Sequence, residues 1–234
     1  MAKKKSFSAR IGRYLTEILI IIIGISLSFA LNDWEQRKSD KKEYSSYLKR
    51  LQEDIRIDSL QMVNDKSSYR NKIRGVDLIF SYHSGFSRDS IALLGEAQNA
   101  LQGFIKFLPN DNTFQILSST GDFKVFTNDS LVSELFQLYR YDYAFIEMTG
   151  KEAEDERSQA INPYMVNNVY LEDKITFPQV RTNIPQVVQD RTFRNICLEY
   201  KESSYAVIRA YNRGLERIAS INEIIRQELD NAGE

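Results

Sequence analysis

Residues 18–31 read ILIIIIGISLSFAL and contain no charged side chain. Tyr14 precedes this apolar run and Trp34 follows it. A helix over residues 14–34 is about 30 Å long, which matches the hydrocarbon thickness of a lipid bilayer. Aromatic side chains at both ends are typical of the two membrane interfaces. The sequence therefore predicts a transmembrane helix over residues 14–34, with Tyr14 and Trp34 as interfacial anchors and the lipid bilayer as its surroundings.

The charges that flank the apolar run predict its orientation. Residues 1–13 contain Lys and Arg but no acid, whereas the cations of residues 35–43 are mixed with acids. Segments rich in Lys and Arg tend to stay in the cytoplasm. We therefore expect residues 1–13 to form a cytoplasmic N-terminus and residues 35–234 to lie outside the cytoplasm. No second long apolar run follows, so the predicted topology is single-pass.

A cleaved signal peptide is the competing interpretation of the same segment. Residues 28–30 read Ser-Phe-Ala, an acceptable cleavage site after a basic start and an apolar core. A retained anchor is favoured because the run reaches bilayer length and the helical pattern continues past Trp34 without a break. A cleaved chain would instead be a soluble helical protein, also outside the cytoplasm.

Composition excludes several classes of protein. The formal net charge is -1, and it becomes more negative once residues 1–13 are set apart, so a nucleic-acid partner is not expected. The single cysteine, Cys197, allows no internal disulfide, and the single histidine, His83, excludes every motif that needs two. Phosphate-binding glycine loops and common hydrolase motifs are missing as well. We therefore expect no enzyme activity, no cofactor and no metal site.

The spacing of apolar residues after Trp34 predicts an all-α fold. Residues 34–83 contain no proline, and their apolar side chains recur at helical intervals, so the helix is expected to continue to about Ser84. Gly, Pro and capping residues divide the rest. The predicted segments are helices over about 90–108, 110–121 and 130–160, a short helix from Asn162-Pro163, an irregular stretch over 172–189, and a helix over 190–229. The simplest arrangement is an antiparallel, up-and-down helical bundle over residues 35–234.

Three stretches resemble an uncharacterised family of bacterial single-pass membrane proteins. The first joins Thr16–Leu19, Ile23–Ile25 and Asn32–Glu35, the second is Tyr47–Ile55, and the third is Phe114–Asp122. The resemblance covers about a quarter of the chain. It implies a Gram-negative inner membrane protein with a helical periplasmic part, and it implies no activity.

Two sets of residues are candidates for contact with a partner. Small-xxx-small spacing permits close helix packing inside lipid, and a carboxylate there usually marks a contact. Alternatively, Glu17 pairs with Arg13 or reaches the headgroups. Proline bends beside apolar groups suggest a second, adaptable contact loop. The predicted transmembrane interaction face is Glu17, Ile21, Gly24, Ser28 and Leu31, and the predicted partner loop contains Phe177, Pro178, Ile184 and Pro185.

The function predicted from these features is that of an interaction, assembly or accessory subunit of a membrane complex, joined to another membrane protein or to itself through the transmembrane helix. A helical bundle that senses a ligand and signals through a partner is the alternative. Tyr139, Tyr141, Tyr143, Phe145 and Met148 could line a pocket for it, but such aromatic clusters are more often core. A small-molecule ligand is accordingly not the leading expectation.

Overall fold

The computed structural model describes residues 4–81, 100–168 and 184–231, and these residues are mostly helical and include no strand. The prediction of an all-α fold is therefore confirmed. The α-helices are α1 (Lys4–Phe80), α2 (Asn112–Thr120), α3 (Asp129–Gln137), α4 (Tyr143–Glu156), α5 (Asn162–Asn168), α6 (Ile184–Gln189) and α7 (Arg191–Asn231), with a 3-10 turn at Asp122–Val125 and π-helical turns at Leu138–Asp142 and Arg157–Ile161.

Helix α1 extends over 77 residues, or about 115 Å at 1.5 Å per residue. Its burial begins at Tyr44, and from there the expected apolar stripe faces the rest of the chain. Leu48, Leu51, Ile55 and Met62 are completely buried. The helix predicted to leave the apolar run and continue to about Ser84 is thus observed, and it ends at Phe80.

Helix α7 packs antiparallel along α1. The Tyr44 hydroxyl donates to Glu228 at 2.9 Å, and the Lys72 ammonium donates to the Tyr200 hydroxyl at 2.6 Å. Residue numbers therefore rise along α1 as they fall along α7. The helix begins where it was predicted to, because the Asp190 carboxylate accepts the backbone N–H of Phe193 at 2.9 Å.

Residues 103–111, which we call the strap, lead back along α1. The Lys72 ammonium donates to the Gly103 carbonyl, Gln61 donates to the Lys106 carbonyl at 2.9 Å, and the Asn110 N–H donates to Asp58 at 2.8 Å. Because its partners in α1 come in falling order, the strap is antiparallel to α1. Helix α2 continues this pass and ends, as predicted, at Gly121, whose φ of 74° suits glycine.

The helix predicted over 90–108 is wrong at its C-terminal end. Its described part is helical only over residues 100–102, and the remainder up to 99 lies outside the described residues. The strap is not helical because carbonyls that would accept intrahelical hydrogen bonds accept side chains of α1 instead. Burial of Phe107 also anchors it as an extended segment.

Residues 129–168 form one continuous helix through α3, α4 and α5. It begins where the Asn128 side chain accepts the Leu131 N–H at 3.1 Å, as expected for a cap. The predicted short helix does begin at Asn162, as α5, but no break precedes it and the helix passes through Pro163. A proline ring clashes with the carbonyl four residues earlier in a regular helix. The π-helical turn at Arg157–Ile161 widens the backbone directly before it.

This continuous helix is antiparallel to α7. Arg217 donates to Glu134 at 2.6 Å, whereas Ser203, earlier in α7, donates to Glu156 at 2.5 Å. Arg213 and Arg217 both pair with Asp142, whose side chain is 1% exposed. The paired charges fix the register of this continuous helix against α7.

The four passes run up, down, up and down, which agrees with the predicted bundle. Helix α1 from Tyr44 is the first pass, the strap with α2 the second, residues 129–168 the third and α7 the fourth. One end, which we call the base, brings together Tyr44 and Phe126, whose ring centroids are 4.9 Å apart, and Glu228, which accepts from both Tyr44 and Asn128.

The stretch predicted to be irregular over 172–189 lies partly outside the described residues. Its end is helical, since α6 occupies Ile184–Gln189. Pro185 falls in the first turn of α6, where the missing N–H would have no intrahelical partner. The irregular interpretation is therefore wrong for these last residues.

Asp58 explains why the apolar stripe of α1 is interrupted. It is completely buried, and it accepts the Tyr143 hydroxyl at 2.6 Å and the Asn110 N–H at 2.8 Å. Burial raises the pKa of Asp58, although the two hydrogen bonds act in the opposite direction. One carboxylate thus joins the first three passes.

We predict that Tyr143→Phe lowers the free energy of unfolding by about 1–3 kcal/mol, because it leaves an oxygen of the buried Asp58 without its donor. Chemical denaturation followed by circular dichroism measures this change. Tyr139→Phe is the matched control, since the Tyr139 hydroxyl is buried without a hydrogen-bond partner. A control as destabilised as Tyr143→Phe would contradict the assigned role of the hydrogen bond.

Candidate functional site

The apolar run of α1 is exposed along its whole length. None of its most apolar window is buried inside the protein, and Phe29 is 71% exposed. In the part of the chain that the structure describes, α1 is the one helix long and apolar enough to cross a membrane. Soluble proteins rarely expose so large a contiguous apolar surface. The exposure distinguishes this run from the core helix of a soluble domain.

A shallow groove follows one side of the run. No atom lies within 4 Å of the position that a Cβ would occupy at Gly24, so the helix surface is open there. The Ser28 hydroxyl donates to the Gly24 carbonyl at 2.9 Å, which satisfies this polar group within the helix. The residues that line the groove are Ile21, Gly24, Ile25, Ser28, Phe29 and Asn32.

The groove contains three of the five residues predicted for the interaction face. Ile21, Gly24 and Ser28 line it together, whereas Glu17 and Leu31 are exposed on α1 but do not line it. Ile25, Phe29 and Asn32 also line the groove and were not among the predicted residues. Asn32 follows Ser28 by four residues, a helical spacing that could have identified it. Ile25 and Phe29 directly follow Gly24 and Ser28 and flank them on the helix surface.

Of the two predicted interfacial anchors, the structure describes the side chain of Trp34 but not that of Tyr14. Trp34 is exposed, and the Lys38 ammonium lies 5.4 Å from its ring centroid. Arg37 pairs with Asp33 at 2.5 Å on the same turn of the helix. This mixture of an aromatic ring with charged groups suits a membrane–water interface. Tyr14 is helical, and its side chain lies outside the described residues.

The predicted partner loop is divided in the same way. Phe177 and Pro178 lie outside the described residues. Ile184 and Pro185 form the first turn of α6. The contact loop therefore stays a prediction.

The aromatic residues considered for a pocket do not enclose one. Tyr139 and Tyr143 are buried in the core, with ring centroids 5.1 Å apart. Tyr141, Phe145 and Met148 are exposed on the outside of the same helix. The set is thus divided between core and surface, as alternate faces of a helix require.

Nucleophilic or metal chemistry finds no support in the described residues. Cys197 is buried, and burial raises the pKa of its thiol to about 12, so the thiolate is scarce at neutral pH. His83, its conceivable partner, lies outside the described residues. No group of acidic, cysteine and histidine side chains suited to a metal ion occurs in the described ranges.

Lys72 is an unusual feature of the interior. Its side chain contacts the Gly103 carbonyl and the Tyr200 hydroxyl, and its ammonium lies 5.2 Å from the Tyr200 ring centroid. Burial lowers the pKa of Lys72 to about 8, and the nearby Arg157 acts in the same direction. Lys72 thus links the first residue of the strap to α1 and, through the Tyr200 hydroxyl, to α7.

Comparisons with family models, with curated proteins and with solved structures find no match to this chain.

We predict that Lys72→Met reduces the pH dependence of stability between about pH 8 and pH 9.5. In this range the unfolded chain keeps a proton on Lys72, whose ordinary pKa is 10.5, but the folded chain releases it. The wild-type free energy of unfolding should therefore rise with pH through this group, by at most about 1.4 kcal/mol per pH unit.

Urea unfolding at several pH values measures the slope for each variant. Lys42→Met is the control, because it removes an exposed lysine from the same helix and should keep the wild-type slope. An unchanged slope in Lys72→Met would contradict the prediction.

Proposed function

We propose that this chain is a single-pass membrane protein that holds a helical domain outside the cytoplasm and acts as an interaction, assembly or accessory subunit. Residues 1–13 are its cytoplasmic N-terminus, residues 14–34 its transmembrane helix and residues 35–234 its periplasmic domain. The bacterial inner membrane is the location implied by the family resemblance. No catalytic step is part of the proposal.

The observation that carries this proposal is the complete exposure of the apolar run in a helix that continues into a packed domain. A bilayer would cover this surface, which the chain itself leaves bare. Cleavage after Ala30 would cut α1 where it is helical on both sides. The unbroken helix therefore supports an anchor over a cleaved signal peptide.

The geometry of α1 also defines a stalk. Residues 35–43 follow Trp34 and remain largely exposed, and burial begins at Tyr44. At 1.5 Å per residue, the stalk separates Trp34 from Tyr44, where burial begins, by about 15 Å. Arg37 and Asp40 of the stalk line a shallow pocket together with Lys124 and Asn231 of the base, so the base and the stalk share a surface that begins about one helical turn beyond Trp34.

The groove at Gly24 and Ser28 supports association with another transmembrane helix. Small residues let helix backbones approach closely in lipid, where van der Waals packing drives association. Ile25 and Phe29 form apolar walls of the groove beside Gly24 and Ser28. A second membrane protein or a second copy of this chain would fit it equally.

Labelling of engineered cysteines tests the anchor and its direction. We predict that a membrane-impermeant maleimide labels Lys42→Cys in intact spheroplasts but labels Lys3→Cys only after lysis. The native Cys197 gives little background because it is buried. The reverse pattern would contradict the proposed orientation, and an intact mass that begins at Leu31 would contradict the retained anchor.

We predict that Gly24→Leu reduces co-purification or crosslinking of the transmembrane helix in native membranes, because a leucine side chain fills the groove. Ser26→Leu is the matched control, since it adds the same side chain outside the groove. A severalfold loss for Gly24→Leu, with association retained for Ser26→Leu, is expected. Equal association of both variants would show that the groove is not used.

A further inference from the structure

A cleft of about 500 Å3 opens between the strap, α1, α4 and α7. Tyr69 and Tyr211 come from α1 and α7, the strap contributes Phe104 and Phe107, and Ile146 comes from α4. Its size falls within the range of small-molecule pockets, and its lining is mostly apolar and aromatic, as in such pockets. The cleft shares no lining residue with the groove at Gly24. It also contains none of the aromatic set Tyr139, Tyr141, Tyr143, Phe145 and Met148.

Gly150 opens one wall of the cleft. It lies inside α4, where glycine is less favourable than alanine, yet no atom lies within 4 Å of the position of its Cβ. Gly214 shows the usual reason for a glycine inside a helix, because a Cβ there would come within 3.0 Å of Ile146. Packing within the described residues gives no such reason for Gly150. The missing side chain instead leaves room in the cleft.

The strap forms the opposite wall, and Phe104 is 64% exposed on it. The side chains of Lys72 and Gln61 on α1 fix the strap by donating hydrogen bonds to its backbone carbonyls. An exposed aromatic ring on a fixed wall of a cleft offers contact area to a ligand without a large conformational cost.

The charges at the mouth of the cleft indicate an uncharged ligand. The Glu154 carboxylate accepts a hydrogen bond from Arg157 at 2.8 Å, and Lys151 forms an ion pair with Asp155 at 2.7 Å. The charges of Glu154 and Lys151 are therefore already balanced by neighbouring side chains. Lys106 and Glu147 line the cleft with opposite charges. A carboxylate is an acceptor for an N–H or O–H group of a ligand.

We infer that this cleft binds a small, uncharged aromatic molecule that carries an N–H or O–H donor. Its ring lies over Gly150 between Phe104 and the two tyrosines, and its donor reaches Glu147 at the mouth. This site is a binding function beyond the proposed anchoring, and it does not depend on it.

Fluorine NMR with 5-fluoroindole as the probe and the full chain in detergent tests this inference. Saturable binding to the wild type is expected above the non-saturable partition into detergent. Gly150→Leu should weaken it about tenfold or more because leucine occupies the cleft, and Gly150→Ala should cause a smaller loss in the same direction. Circular dichroism verifies that the variants remain folded.

Ala144→Leu is the matched control, because Ala144 is exposed on the same helix and does not line the cleft. It should bind the probe as the wild type does. The inference is overturned if the wild type shows no saturable binding, or if Gly150→Leu binds as tightly as Ala144→Leu. None of these results depends on whether the chain is anchored in a membrane.

Discussion

The antiparallel packing of α7 against α1 is the interaction on which the rest of the fold depends. A single helix cannot cover its own apolar stripe, so the stripe of α1 from Tyr44 onward needs a partner helix of similar length. The contact buries apolar side chains and carries polar pairs along its whole length, such as Tyr44 with Glu228, Tyr211 with Asp65 and Lys201 with Asp77. The other two passes are then added to the sides of this helix pair.

Local signals predicted the ends of elements well where the capping partner is close in sequence. Gly121, Asn128 and Asp190 each act within three or four residues, so their roles could be inferred from the chain alone. The strap could not be predicted in this way. Its backbone carbonyls are satisfied by Gln61 and Lys72, which are distant in sequence and adjacent only after α1 and the strap have packed.

The same distinction separates the two kinds of candidate site. The groove at Gly24 belongs to one helix, so its small residues were visible at helical spacing, although its flanking walls were not. The cleft at Gly150 is assembled from four segments, and a glycine in a helical pattern does not reveal whether its Cβ would meet a neighbour or open space. Only the packed structure shows that a Cβ at Gly214 would meet Ile146, whereas a Cβ at Gly150 would meet open space.

The continuity of α1 links the groove to the domain. Leu60 follows Gly24 by about ten helical turns, so it lies on the same side of α1. Leu60 and its neighbour on that side, Ile57, are both exposed apolar residues, whereas the packed stripe of Leu48 and Ile55 faces away. A partner helix in the groove would therefore continue along an open side of the domain without displacing α7. The proposed association through the groove would thus extend from the apolar run to the part of α1 that flanks the domain, because this side of the helix is uncovered in both places.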